Sequence, residues 1–170
     1  KRPNAVVHLA GLLSGSSEVH PIAAWEINAT ASVNLMQIAK QYDVGPFVFS
    51  STVASYGLDV PAELPAETPQ WPQNVYSTTK IATERMGHWM KTKRDFDFRC
   101  LRFLMVISPF AAPGAVKSYP GHACLVAKLG KPFTFPLIVE TGISTLYMLD
   151  IVRSLTEFTL CDKVYVRQAA

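Results

Sequence analysis

The sequence predicts an α/β fold with a parallel sheet, because short apolar segments alternate with longer segments of helical periodicity. Ala5–Ala10 is apolar, partly β-branched and followed by Gly11, as expected of a strand that is buried on both faces. Phe47–Ser51 and Phe98–Ile107 have the same character. Parallel strands joined by helices of this length imply right-handed βαβ crossovers.

Two long helices are predicted between these strands. Apolar residues recur at helical spacing in Ile22–Tyr42, and Val75–Thr92 consists mostly of good helix formers. Four apolar side chains are available for a buried face of the second helix: Ile81, Met86, Trp89 and Met90. A loop is predicted over Gly11–Ser17, and the polar, proline-bearing stretch Gly57–Pro72 is predicted to be a long surface loop.

After Ser108, prolines and glycines interrupt the pattern. Residues 109–170 are therefore predicted to form a smaller lobe on the substrate side, and residues 1–108 the larger domain. The lobe is predicted to contain a short helix, two extended pieces and a last helix: His122–Leu129, Phe133–Phe135, Ser144–Met148 and Asp150–Leu160.

Composition excludes several classes of protein. The 170 residues are 49% hydrophobic, and the net charge of +3 is scattered, which favours neither nucleic-acid nor membrane binding. Cys100, Cys124 and Cys161 lie far apart, so neither a disulfide framework nor a zinc site is predicted, and a reducing, cytoplasmic setting fits best. The histidines have no metal-ligand spacing, and His8 is interpreted as a structural core residue.

Tyr76 and Lys80 are four residues apart in a predicted helix, so their side chains share one face. Removing hydride from an alcohol carbon also requires loss of the hydroxyl proton, and a phenol with a pKa of ~10 is a weak base at neutral pH. A neighbouring ammonium group favours the phenolate and brings the pKa of Tyr76 closer to working pH. Because this spacing also arises by chance, its surroundings decide its meaning.

The strand upstream of this pair ends in Phe49-Ser50-Ser51-Thr52, which places hydroxyl groups at the carboxyl end of a parallel strand. Open α/β sheets bind their ligands at that edge. Tyr76, Lys80 and Thr52 together therefore predict a proton-transfer site.

In their order along the chain, these segments resemble the motifs of the extended short-chain dehydrogenases/reductases, which include the NAD-dependent epimerases and dehydratases. Tyr76–Lys80 matches the family's YxxxK, and Phe49–Gly57 resembles the strand that bears the active-site hydroxyl. Four further segments resemble family motifs: Val7–Gly11, Asn28 with Asn34-Leu35, Leu101–Phe103 and Tyr147–Asp150. The resemblance implies a Rossmann-like, doubly wound parallel sheet, of which residues 1–108 are the second half.

The resemblance also implies a role for each matching residue. Tyr76 would be the acid/base, Lys80 would tune Tyr76 and hold the nicotinamide ribose, and Thr52 would donate a hydrogen bond to the reacting oxygen, with Ser51 as a second donor. The residues implied on the cofactor side are Ala10, Gly11, Asn28, Ser50, Ser51, Tyr76, Lys80 and Leu104. Candidates for substrate contacts are Ser14, Ser16, Glu18 and Arg102.

Two of these residues have a second interpretation. Asn28 could brace the strand edge through side-chain hydrogen bonds, which is the interpretation we favour, or lie on the helix surface. Arg102 could hold an anionic substrate group or form a salt bridge at the end of its strand.

The chain departs from the family pattern in two places. The glycine-rich phosphate loop is not in the chain, so NAD is expected but NADP stays open, and the 170 residues alone are expected neither to bind cofactor nor to be active. We expect the first residues of the fold to precede residue 1. Leu104-Met105 also replace a proline-containing turn that is common beside the nicotinamide.

The two residues after Thr52 narrow the reaction. Val53-Ala54 cannot supply the carboxyl groups that assist water loss in sugar dehydratases, so dehydration is disfavoured. Segments such as Gly11–Ser14 and Leu101–Phe103 resemble the threonine 3-dehydrogenase branch, which favours oxidation of a small 3-hydroxy amino acid. Nucleotide-sugar (UDP-sugar) epimerisation is the alternative, and a non-catalytic binding role is a third. By analogy with the family, a homodimer is expected.

Overall fold

The structure is a computed structural model that describes residues 2–58, 60–61, 63–65, 67–108, 119–135 and 138–166. It divides into two compact units. The first comprises Lys1–Arg102 together with Leu155–Ala170, and the second comprises Phe103–Ser154. The domain division after Ser108 stays a prediction, which these compact units do not test.

The first unit contains a three-stranded sheet in the order β1-β2-β3. Its strands are β1 (Val6–His8), β2 (Phe47–Thr52) and β3 (Phe98–Phe103). β1 and β2 are parallel, with Val6 opposite Phe47 and His8 opposite Phe49. The predicted α/β fold with parallel pairing is confirmed, although β1 is shorter than the apolar segment that predicted it.

The segment after β1 is not the loop that was predicted over Gly11–Ser17, because α1 (Ser14–Val19) forms there. Its residues have no strong helical pattern, and two of its side chains form hydrogen bonds with residues outside the helix. The Ser17 side chain is fully buried and its hydroxyl donates to the Leu12 carbonyl at 3.2 Å. Glu18 reaches the backbone of Val75. These tertiary contacts stabilise a helix that local propensity does not predict.

The helix predicted over residues 22–42 is present, and its centre is π-helical. It consists of three consecutive parts: α2 (Pro21–Ala24), a π-helical turn (Trp25–Thr30) and α3 (Ala31–Gln41). The carbonyl of Asn28 accepts hydrogen bonds from the hydroxyls of Ser32 (2.6 Å) and Thr83 (3.1 Å). Because these polar groups occupy the buried side, Ile27 and Ile38 are left 43% and 52% exposed.

After β2, a 3₁₀ turn (Val53–Tyr56) leads into the long loop, whose described residues contain no helix or strand. α4 (Val75–Arg94) follows, and Asn74 caps its amino end by accepting a hydrogen bond from the Ser77 N–H at 2.8 Å. The predicted buried apolar face of α4 is only partly correct. Met90 is buried, but Met86 and Trp89 are 38% and 46% exposed.

The buried side of α4 is mainly polar, which explains this difference. Its buried residues are Ser77, Thr79, Lys80, Thr83, Glu84, Gly87 and Met90. Hydrogen bonds inside the first unit satisfy the polar members of this set, so the face packs inward without an apolar stripe.

An aromatic cluster forms the core between the sheet and α4. The buried residues of this cluster are Met36, Ala39, Val44, Phe47, Phe49, Met90, Phe96 and Phe98. Phe98 stacks against Phe47 and Phe49 with ring centroids 6.4 and 6.3 Å apart. Gly87 lies directly over this ring, because a Cβ at that position would overlap the Phe98 side chain.

Gly87→Ala is therefore expected to destabilise the fold. Overpacking against a ring held by its neighbours costs about 1–3 kcal/mol, partly offset by the better helix propensity of alanine. Chemical denaturation of the chain measures the change, with Gly142→Ala as the control, because a Cβ there would meet nothing within 4 Å. Unchanged or increased stability of the Gly87→Ala variant would show that α4 does not pack closely against Phe98 at this position.

The second unit contains a separate two-stranded sheet. β4 (Met105–Ile107) and β5 (Thr145–Tyr147) pair in parallel, and α5 (Tyr119–Lys128) lies between them in the chain. α6 begins at Met148 and ends at Leu160. Phe133–Phe135 forms no strand. Residues 109–118, where the prolines and glycines that mark the predicted lobe boundary begin, lie outside the described residues.

Candidate active site

Tyr76 and Lys80 lie in the first turns of α4 and face the carboxyl end of β2. The Lys80 Nζ atom lies 5.6 Å from the centroid of the Tyr76 ring and 4.7 Å from that of Phe49. It donates a hydrogen bond of 2.8 Å to the Ser50 carbonyl. The predicted pair is thus one helical turn apart on one face, with the lysine anchored to the strand.

Burial changes the proton affinity of both members of this pair. It lowers the pKa of Lys80 from 10.5 to about 8, against the opposing effects of Cys100 and Glu84. Burial also raises the pKa of Tyr76. The expectation that Lys80 brings the pKa of Tyr76 down is therefore wrong for the chain as it stands. The ammonium donates to the Ser50 carbonyl and lies over the tyrosine ring, so desolvation of the phenol dominates.

The hydroxyl groups at the end of β2 differ in their surroundings. Thr52 Oγ1 accepts a hydrogen bond from the Ala54 N–H at 3.2 Å, which caps the 3₁₀ turn and leaves the hydroxyl proton free to be donated. Ser51 is 2% exposed, and its Oγ atom has no hydrogen-bond partner among the described residues. Because side chains alternate along a strand, Ser51 and Thr52 point to opposite faces of the sheet.

The turn after β1 is held by Asn28. The Asn28 side chain is 1% exposed; its Oδ1 accepts from the Leu12 N–H at 2.7 Å, and its Nδ2 donates to the Leu12 carbonyl at 3.0 Å. Nδ2 also donates to Thr79 Oγ1 at 3.2 Å. Asn28 therefore braces the strand edge against α4, in agreement with the interpretation favoured from the sequence. A Cβ at Gly11 would lie 3.0 Å from Asn28 Oδ1 and 3.9 Å from Lys80 Nζ.

His8 belongs to the same buried network. Its Nε2 atom lies 2.7 Å from Ser32 Oγ, which in turn donates to the Asn28 carbonyl. Burial, and then the charge of Lys80, lower the pKa of His8. The side chain links β1 to the helix beside it, which agrees with the structural role inferred from the sequence.

The candidate substrate residues are dispersed. Ser14 and Ser16 are exposed on α1. Glu18 Oε1 accepts a hydrogen bond from the Val75 N–H at 2.7 Å, so its carboxylate lies at the amino end of α4, where the helix dipole favours negative charge. Ala10 is exposed beside Gly11, whereas Leu104 belongs to the second unit.

Arg102 forms the ion pair that was its alternative interpretation. Its guanidinium binds both carboxylate oxygens of Glu84, with Nη2 2.7 Å from Oε2 and Nε 3.2 Å from Oε1. Nη1 donates to Tyr56 Oη at 2.7 Å, and Gln70 Oε1 lies 3.3 Å from Nη2. Neither Glu84 nor Gln70 was singled out from the sequence, although Glu84 follows Lys80 by four residues, which places both on one helix face.

Two further properties bear on the class of site. Among the described residues, no three His, Cys, Asp or Glu side chains come together as metal ligands would. No helix in the described part of the chain combines the length and apolar character of a membrane span.

Known families and structures include several that are similar to this chain. A model of the NAD-dependent epimerase/dehydratase family matches residues 1–152. An uncharacterised epimerase/dehydratase from Staphylococcus saprophyticus is 26% identical over 165 residues, covering 96% of this chain and 51% of the relative. A UDP-glucose 4-epimerase from Halalkalibacterium halodurans is 36% identical over 101 residues, which cover 59% of this chain and 30% of the epimerase.

Solved structures of similar fold include two L-threonine dehydrogenases. The holo form of the enzyme from Cupriavidus necator has a TM-score of 0.87 and 28% identity, covering 94% of this chain and 53% of that one. The enzyme from Phytophthora infestans has a TM-score of 0.86 and 29% identity, with 94% and 52% coverage. The chain thus spans about half the length of the relatives it matches.

Proposed function

Because this chain belongs to the NAD-dependent epimerase/dehydratase family of extended short-chain dehydrogenases/reductases, we propose that it carries the acid–base half of an NAD(P)-dependent oxidoreductase. The reaction is hydride transfer at a secondary alcohol carbon. The observation that carries the proposal is the placement of the Lys80 ammonium over the Tyr76 ring and against the carboxyl end of β2.

The residues around this pair fit a nicotinamide cofactor. Gly11 has no side chain, and a Cβ there would approach Asn28 Oδ1 to 3.0 Å and touch the Lys80 ammonium at 3.9 Å, so glycine leaves the turn after β1 uncrowded beside that cation. The orphaned Ser51 hydroxyl is an additional buried polar atom at the same strand end. A ribose hydroxyl can accept a hydrogen bond from a serine hydroxyl or from an ammonium group. Ala10, Gly11, Ser50, Tyr76 and Lys80 would hold the cofactor, with NAD proposed first and NADP as the alternative.

The chain's own residues would manage the proton. The chemistry that a bound cofactor would supply is an acceptor for the hydride. Tyr76 accepts the proton of the substrate hydroxyl, and Thr52 donates a hydrogen bond that orients the same oxygen. Lys80 provides a positive charge that stabilises the phenolate form of Tyr76 once a ligand orders the site. Burial of the phenol opposes this effect by raising the pKa of Tyr76, so the charge of Lys80 has to outweigh that desolvation when the phenolate forms.

We propose a small 3-hydroxy amino acid such as L-threonine as the substrate. The proposal is supported by the likeness to L-threonine dehydrogenases over 94% of the chain. The second candidate is a UDP-sugar 4-epimerase, favoured by the 36% identity to the UDP-glucose 4-epimerase. Both reactions use the same Tyr76, Lys80 and Thr52, so the site geometry alone does not separate them.

An activity assay on two forms of the protein tests the proposal. The first is the 170-residue chain, and the second, the extended form, adds a designed βαβ segment with a glycine-rich phosphate loop before residue 1. We expect the extended form to reduce NAD or NADP with L-threonine, and the 170-residue chain to show neither activity nor a cofactor-dependent thermal shift.

The outcomes separate the candidates. If no hydroxy amino acid yields reduced cofactor, the dehydrogenase proposal is contradicted. Interconversion of UDP-glucose and UDP-galactose would establish the epimerase. Inactivity towards both classes, in an extended form that binds NAD, would favour a non-catalytic binding role. Micromolar binding of NAD to the 170-residue chain would overturn the expectation that it needs the additional segment.

We also propose that the protein acts in the cytoplasm as a homodimer. The three cysteines are free thiols, which suits a reducing compartment. Met86 and Trp89 on the outer side of α4 are exposed and could contact a second copy. Light scattering of the extended form measures its mass, and a monomer at micromolar concentration would contradict the dimer.

A further inference from the structure

We propose that Gln70, Glu84 and Arg102 form a positioning node that fixes the turn after Thr52 against the helix carrying Tyr76 and Lys80. The node would keep the hydroxyl donor and the acid–base pair in one geometry. The inference rests on the proposed function for its catalytic meaning. The structural part of the claim stands on contacts within the first unit.

Gln70 is the centre of the node. Its Nε2 atom donates to Ser55 Oγ at 2.8 Å and to Glu84 Oε2 at 3.3 Å. Its Oε1 atom accepts from Arg85 Nη2 at 2.8 Å and from Arg102 Nη2 at 3.3 Å. Both partners of the nitrogen are acceptors and both partners of the oxygen are donors, so the orientation of the amide is determined by its surroundings. One loop side chain thereby joins the turn, α4 and β3.

The ion pair behind Gln70 is largely buried and bidentate. The Glu84 side chain is 6% exposed and that of Arg102 is 20% exposed, and the guanidinium binds the carboxylate through two nitrogens. Arg102 also lies over the ring of Tyr56 at 5.2 Å while donating to its hydroxyl. Because the guanidinium is planar and bound on several sides, it determines the orientation of Glu84 and Tyr56 as well as the distance between them.

The turn that the node holds begins at the candidate hydrogen-bond donor. Thr52 caps the 3₁₀ turn, and Ser55 and Tyr56, which bind the node, are the third and fourth residues of that turn. Both are buried, at 0% and 7% exposure. Gly57 then leaves the turn with a φ of 85°, a conformation that disfavours other residues. A shift of the node would therefore reach Thr52 through the three peptide units that separate it from Ser55.

Glu84 also connects the node to Lys80. It lies one helical turn further along α4, and its negative charge favours the protonated lysine. The other ionisable groups facing Lys80 are Tyr76 from α4, His8 from β1 and Cys100 from β3, and Arg102 offsets part of the charge of Glu84. Because a buried ion pair adds little net stability over an apolar pair of the same size, its value here is geometric.

A pair of glutamine variants tests the node. Gln70→Met keeps the side-chain length and removes all four hydrogen bonds. Gln73→Met changes the same loop at a residue whose side chain, among the described residues, donates only to the Trp71 carbonyl. In the 170-residue chain, we expect amide hydrogen exchange in residues 53–57 to increase about tenfold in Gln70→Met and to stay unchanged in Gln73→Met. Equal exchange in both variants would overturn the proposal.

Kinetics of the extended form provide the second readout. Gln70→Met is expected to lower kcat about tenfold while KM for the substrate changes less than twofold, because a small misplacement of catalytic groups affects the transition state most. An unchanged kcat, or an equal loss in Gln73→Met, would overturn the positioning role. Inactivity of the unmodified extended form would count against the proposed function, and hydrogen exchange alone would then decide whether the node fixes the turn.

Discussion

Tyr76→Phe is expected to lower kcat of the extended form by about two to four orders of magnitude, which is the range that general acid–base catalysis contributes. The substitution removes the phenolic hydroxyl and keeps the ring that faces the Lys80 ammonium at 5.6 Å. Cofactor affinity is therefore expected to change little. The measurement is steady-state oxidation of L-threonine, together with NAD binding by fluorescence.

Tyr42→Phe is the matched control, because Tyr42 is 58% exposed at the carboxyl end of α3 and lies outside the candidate site. It should retain full activity. A Tyr76→Phe enzyme that retains wild-type kcat would remove Tyr76 from the role of acid/base and leave the family resemblance as a statement about fold alone.

The pH dependence of this activity has a defined sign. Burial raises the pKa of Tyr76, so the neutral phenol dominates at neutral pH in the chain as it stands. Oxidation of an alcohol needs the deprotonated form as base, and kcat/KM for oxidation is therefore expected to rise with pH through the alkaline range. Tyr76→Phe should lack this rise.

The second large effect concerns stability: Lys80→Met is expected to stabilise the 170-residue chain by about 1–3 kcal/mol at pH 7. Burial lowers the pKa of Lys80 from 10.5 to about 8. One pKa unit corresponds to about 1.4 kcal/mol, so burying the charged lysine costs the fold about 3 kcal/mol. Loss of the hydrogen bond to the Ser50 carbonyl removes about 1 kcal/mol of the gain.

The stability gained by Lys80→Met is expected to decrease as the pH rises. Below pH 8 the lysine is charged in both the folded and the unfolded chain, and the full cost of burial is present. Between pH 8 and 10.5 the unfolded chain binds more protons than the folded one, so the wild-type protein becomes more stable as pH rises. The stability difference between Lys80→Met and wild type should therefore be largest below pH 8 and should disappear towards pH 10.5.

Denaturant unfolding at several pH values measures this difference. The Cys100 thiol also makes stability depend on pH, because burial raises its pKa above that in the unfolded chain. Subtracting the unfolding free energies of the two proteins removes most of this effect. Lys93→Met, at an exposed position of the same helix, is the control and should show no comparable change. A pH-independent difference would mean that Lys80 folds without its charge being desolvated.

If both results are obtained, the proposed site lowers the stability of the fold. The buried Lys80 cation would then destabilise the folded chain beside Tyr76, the proposed acid/base. Active sites commonly retain groups that weaken the folded state, because function requires them there.

Most of the secondary structure could be predicted because it depends on local patterns. The apolar runs of β1 and β2 and the helical spacing of residues 22–42 involve neighbouring residues in the sequence, and the structure contains those elements. α1 could not be predicted in this way. Its Ser17 and Glu18 are held by Leu12 and Val75, and the second of these contacts joins residues 57 positions apart.

The sequence alone was sufficient to place Thr52 at the end of β2 and Tyr76 and Lys80 one turn apart in α4, because strand ends and a four-residue helical spacing are local features. It could not show which face of α4 is buried, that Gln70 joins Ser55 to Arg102, or that the pKa of Tyr76 is raised. Those properties arise from hydrogen bonds and desolvation between residues distant in the chain, and they come into existence only when the sheet, α4 and the loop pack together.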